Sequence, residues 1–135
     1  MPRNPADRAL TALTALTGLV ALAAVATRVA LTAVEPDETL LSAIWELAYF
    51  FTILTNLFVA LAFLLLVTVG RAGPAGLHGA LTTAIVIVGV VYHALLADAT
   101  DYAGLERVTD IALHTVVPAL VLLHWLAVAP KRRLG

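Results

Sequence analysis

The sequence predicts an all-α protein, a polytopic transmembrane bundle of four helical spans with both termini cytoplasmic. Three observations carry that expectation. Hydrophobic residues make up 61% of the 135 and charged residues only 13%, so a soluble fold of this size would expose too much apolar surface. The apolar residues gather in four runs, at about 9–34, 44–69, 79–97 and 108–129, each long enough at ~1.5 Å per residue to cross a hydrocarbon core of ~30 Å. The cations also segregate. Arg3, Arg8, Arg71, Lys131, Arg132 and Arg133 fall on one side of such a hairpin pair, and Arg28 and Arg107 lie toward the other, among nearly all the acids. The positive-inside rule then puts the first side in the cytoplasm of a cell-membrane protein, with residues 1–135 as a single transmembrane domain.

Composition excludes several kinds of chemistry. Without cysteine there is no disulfide, no thiolate nucleophile and no disulfide–quinone exchange. No basic and aromatic stretch suggests nucleic acid as a partner. Membrane lipids are the expected surroundings, and neither a metal nor a cofactor is called for by the leading reading of the chain.

Taken in order, Met1 to Arg8 is a polar head before the first run. The head, the run and Ala24-Val25-Ala26 resemble a secretory signal, but the stretch exceeds the ~7–15 residues of a signal core and resumes after Arg28, so a retained span is expected. Thr11, Thr14, Thr17 and Gly18 form a small-residue face suited to close helix packing, within the bundle or with a homo- or hetero-oligomeric partner. Arg28 is expected to snorkel or to pair with Glu35 or Glu46. Glu35-Pro36-Asp37-Glu38 is an acidic turn, and Trp45 marks a membrane boundary before the second run.

That second run opens Tyr49-Phe50-Phe51-Thr52-Ile53-Leu54-Thr55-Asn56-Leu57. At ~100° per residue Tyr49, Thr52, Thr55 and Asn56 share a face that should look at protein or enclosed water rather than lipid. A packing account has the threonines bonded to their own helix carbonyls and Asn56 tying two helices together. A functional account makes the face one wall of a buried reaction site. Gly70 to Gly76 is a break, with His78 beside it expected in a solvated loop. In the third run Thr82, Val86, Gly89 and His93 share a face, with Gly89 admitting a neighbouring backbone. In the fourth, Asp110 stands four residues before His114, where it could orient the imidazole. Pro118 stands four after, where it cannot donate to the His114 carbonyl and should leave a kink and a free acceptor. His124 and Trp125 are expected at the interface of the far end.

Counted inward from the outer face, Thr52, His93 and His114 reach similar depth, with Asn56 one turn deeper. Asp110 is placed to hold the His114 imidazole, and Thr52, Thr55, Asn56, Tyr92 and His93 are the other polar side chains of this region.

Phe51-Thr52-x-x-Thr55-Asn56-Leu57, Val91-Tyr92-His93, His114-Thr115-Val116-Val117-Pro118 and Trp125 together resemble a bacterial six-pass membrane protein family. It is allied to the androgen-induced and androgen-dependent membrane proteins of animals. The resemblance covers Tyr49 to Trp125. The animal relatives are threonine-type hydrolases of fatty acid esters of hydroxy fatty acids, so the resemblance implies a lipid ester substrate, a threonine matching Thr52 and a histidine matching His114. In the chemistry it implies, Thr52 attacks, His114 is its base, Asp110 orients the imidazole, and Asn56 or Tyr92 donates to the oxyanion, with Thr55 and His93 as further polar support. The spacing from threonine to leucine differs by a residue, which keeps Thr55 as a second candidate. His124 stands where the family commonly has an acid, and four spans stand where the family has six. A non-catalytic accessory or truncated family member is one alternative. A b-type haem held by His93 and His114 in an electron carrier is the other.

Overall fold

A computed structural model of the chain describes residues 4–48, 50–71 and 73–128. Helix α1 (Pro5–Ala33) starts where Asn4 accepts the Asp7 backbone N–H at 2.8 Å, Pro5 occupies the first turn and Asp7 faces the positive end of the helix dipole. Its 29 residues reach ~43 Å, more than a bilayer core. Helix α2 (Leu40–Ala48) is short and begins with reciprocal bonds between Thr39 and Ser42, the pattern of a capping box with serine in the third place. Helix α3 (Phe51–Val69) ends at Gly70, whose φ of 68° suits a residue without Cβ and lets the Arg71 N–H turn back to the Leu66 carbonyl.

The third long element is α4 (Ala75–Val91), continued by a π turn (Tyr92–Leu96) and a 3₁₀ turn (Ala97–Ala99). The fourth is α5 (Gly104–Ile111), a second π turn (Ala112–Val116) and α6 (Val117–Val128). Among the described residues there is no strand, and four helices are long and apolar enough to cross a membrane.

The four elements close a ring: α1 packs on α3 and α6, α3 on α4, and α4 on α6. Val59, Phe63, Ile85, Val117 and Val121 fill the middle, and a smaller cluster of Ala24, Val25, Ile53 and Leu113 lies toward the end bearing α2. We call that end distal, and the end bearing Asn4, Gly70 and Val128 proximal. Leu19, Phe58, Leu65, Val90 and Leu123 point outward, more than half exposed, while Thr17, Thr55, Asn56, Asp110 and His124 are buried. Polar residues inside and large apolar residues outside suit a hydrocarbon surround.

Several expectations are corrected. The run at 44–69 is not one helix: α2 ends at Ala48 and α3 begins at Phe51, because Phe50 is extended. His78 is not a solvated loop residue; it is helical, 5% exposed and stacked on His124 at 5.2 Å between ring centroids. His124 is not interfacial either, since its Nε2 lies 3.0 Å from Thr14 Oγ1 in the bundle interior. Arg28 pairs with neither glutamate and donates to the Tyr102 hydroxyl at 2.7 Å. The expectations placed on Arg3, Tyr49, Ala129, Pro130, Lys131, Arg132 and Arg133 lie outside the described residues.

Candidate functional site

Helical spacing brings Asp110 under His114. The imidazole Nδ1 lies 3.0 Å from the Asp110 carbonyl and 3.2 Å from its Oδ1. A lone pair aimed at two oxygens would be repelled, so Nδ1 carries the proton and Nε2 keeps its lone pair. No hydrogen bond to Nε2 occurs among the described residues. The other carboxylate oxygen of Asp110 accepts the Tyr92 hydroxyl, and the Tyr92 ring stacks on the His114 ring at 3.9 Å and 16°. Both Tyr92 and Asp110 are 5% exposed. The three side chains form one unit in which the carboxylate has a neutral donor on each side.

The second π turn explains how the backbone around His114 is held. The Val117 N–H reaches back to the Ala112 carbonyl, one residue further than in an α-helix. In the same register the Leu113 carbonyl would turn to residue 118, which is proline and has no N–H. Asn56 supplies the missing donor from α3: its Nδ2 lies 3.2 Å from the Leu113 carbonyl and 2.9 Å from the Thr52 carbonyl. In this register the acceptor freed by Pro118 is the Leu113 carbonyl, one residue before the His114 carbonyl that α-helical counting indicates. A Cβ at Gly89 would come within 3.2 Å of the His114 carbonyl and 3.4 Å of Pro118 Cβ. Glycine there is what lets α4 approach the turn.

Thr52 is half-buried in the first turn of α3, and Asn56 joins its carbonyl to that of Leu113, the residue before His114. Thr14, Thr17 and Thr109 each bond the carbonyl four residues back in their own helix, at 2.8 Å. Thr52 and the buried Thr55 do not; neither hydroxyl has a hydrogen bond among the described residues. The packing account therefore holds for Asn56 and not for these two threonines. The amide hydrogens of Asn56 are both engaged, and so is the Tyr92 hydroxyl, which makes these residues positioning groups in this arrangement. The start of α3 has no side-chain cap, so its first-turn N–H groups supply the donors nearest Thr52.

His93 stands apart from His114. It lies on the flank of the α4 stripe whose buried centre runs through Ile85, Val88 and Tyr92, and it is exposed. Its Nε2 lies 2.8 Å from Thr115 Oγ1. The Tyr92 ring touches both imidazoles, edge-on to His93 at 5.2 Å and face-on to His114. The first π turn, which carries Tyr92 and His93, had no proline to announce it. Thr115 and Thr14, the partners of His93 and His124, stood in the sequence only as part of the His114–Pro118 motif and of a small-residue packing face, with no sign of these pairings.

Comparison with protein families, with curated proteins and with solved structures finds no match to this chain. Fold and site define its class: a bundle of four apolar helices with a phenol–carboxylate–imidazole unit in its interior, tied through the Asn56 amide to the carbonyl of Thr52.

Proposed function

We propose that the chain is a multi-pass protein of the cell membrane, both termini cytoplasmic, that hydrolyses lipid esters within the bilayer through Thr52 and His114. The observation that carries this reading is the imidazole of His114, held at Nδ1 by Asp110 with Nε2 unbonded, one residue from the carbonyl that shares the Asn56 amide with Thr52. The resemblance of the Thr52, His93 and His114 segments to the membrane threonine hydrolases supports the same roles.

In this mechanism Thr52 Oγ1 attacks the ester carbonyl carbon as its proton passes to His114 Nε2. The tetrahedral oxyanion is met by the first-turn N–H groups of α3, whose positive dipole end faces it, a contribution of about 3–4 kcal/mol for each well-placed donor. Collapse breaks the ester C–O bond, and the departing alkoxide takes the proton from His114. Water then attacks the acyl-threonine, giving its proton to His114, and the fatty acid leaves as Thr52 recovers the proton. Asp110 stabilises the imidazolium at both stages. A substrate held in the bilayer enters sideways between helices.

The accessory-protein reading keeps one observation, the Asn56 tie, which would stabilise the bundle without any chemistry. A haem between His93 and His114 would have to displace the Tyr92 ring that lies against both.

Labelling with a lipid-like fluorophosphonate, followed by mapping of the adduct, tests the hydrolase. Modification should fall on Thr52, and a protein that takes no label anywhere ends the proposal. Reporter fusions test the orientation: Arg71 should report from the cytoplasm and Asp37 and Asp101 from outside. An external Arg71 would invert the bundle.

A further inference from the structure

The proximal end holds a cavity of about 270 Å³ that the hydrolase site does not use. It opens between the first turns of α1 and α4 and the last turns of α3 and α6. Asp7 and Arg71 both line it, both are exposed, and they form no ion pair with each other. An anion and a cation thus face one space without neutralising each other.

The third polar group is deeper. Thr14 Oγ1 donates to the Leu10 carbonyl at 2.8 Å, so toward His124 Nε2, 3.0 Å away, it can only accept. Nε2 therefore carries the proton, and Nδ1 of this 4%-exposed histidine is left as an acceptor with no partner among the described residues. Leu10, Leu66, Val67 and Val128 make an apolar stretch of the wall, beside Thr11 and His78.

We infer that this cavity binds a zwitterion whose cation is a primary ammonium, with its phosphate or carboxylate on Arg71 and its ammonium on Asp7 and His124. A doubly anionic ligand would meet Asp7, and a simple cation would meet Arg71. A quaternary ammonium has no N–H for the His124 acceptor. The apolar stretch of Leu10, Leu66, Val67 and Val128 suits the glycerol end of a lipid, and an ethanolamine phospholipid headgroup and a free aminophosphate share the required chemistry. The inference does not depend on the hydrolase assignment.

The test uses the purified full chain in nanodiscs containing phosphatidylethanolamine, phosphatidylcholine or phosphatidylglycerol, read by lipid retention in native mass spectrometry. The ethanolamine lipid should be retained at least about tenfold better than the other two, equivalent to ~1.4 kcal/mol. Asp7→Asn and Arg71→Gln should each remove that preference while leaving the lipid-free protein folded, since both side chains are exposed and Asp7→Asn gives up only the ~0.3–1 kcal/mol of its interaction with the α1 dipole. Competition with soluble O-phosphoethanolamine separates the two sources. Displacement of the lipid assigns the site to the free zwitterion, and resistance assigns it to the lipid; either upholds the chemistry. Equal retention of all three headgroups, or full preference in both variants, overturns it.

Discussion

Thr52→Ala and His114→Ala should each lower ester turnover by about 10⁴–10⁶-fold, and the double variant should be hardly worse, because nucleophile and base act as one unit. The structure makes the threonine half of this experiment clean. The Thr52 hydroxyl has no hydrogen bond among the described residues, so removing it breaks no structural contact of that kind and stability should change by less than about 1 kcal/mol. Lost activity could then not be blamed on lost fold. His114→Ala is less clean, since Asp110 loses the imidazole and Tyr92 its stacking partner. Turnover by this variant should therefore be compared at matched folded protein. Thr55→Ala should leave most activity intact, which separates the two unbonded hydroxyls. Parental turnover by both Thr52→Ala and His114→Ala would remove the hydrolase reading and leave the structural one.

Removing Asp110 should have the largest combined effect on stability and chemistry. Asp110→Ala takes the carboxylate from the buried Tyr92 hydroxyl, a loss of about 1–3 kcal/mol, while His114 Nδ1 keeps only the backbone carbonyl of residue 110. Turnover should fall by about 10⁴-fold, less than for His114→Ala, because the imidazole remains and loses only its orientation. Tyr92→Phe keeps the ring against His114 and removes one donor from the carboxylate, so it should be milder in both readouts. The pair should be non-additive: once Asp110 is alanine, Tyr92→Phe should cost little, with a coupling of about 0.5–3 kcal/mol. Unfolding in mixed detergent, run on the four proteins of the cycle, measures this directly. Additive losses would mean that the phenol and the carboxylate do not act together.

Whatever depends on neighbours along the chain was legible in the residues alone. Four apolar runs and segregated cations predict the spans, and the four helices found match them within a few residues at most ends. The Asp110–His114 pair was legible because residues four apart on a helix must meet, whatever surrounds them. Pro118 announced an irregular backbone for the same local reason. The break between α2 and α3 had no such sign, because no glycine or proline stands at 47–51 and the run remains apolar through it.

Only the tertiary structure decided which polar residues face each other across the bundle. In a soluble helix an apolar stripe reveals the buried face, but here lipid and core are both apolar, so leucine and valine surround each helix and carry no azimuth. That is why His78 and His124 were placed at the surface when they stack inside, and why Thr14 was not seen as the partner of His124. It is also why the sequence leaves Asn56 open between a helix tie and an oxyanion donor, whereas in the bundle its amide engages the Leu113 carbonyl. That acceptor arises from a π turn in another helix, 57 residues away in sequence. Its need for a partner becomes visible only when the two helices are side by side.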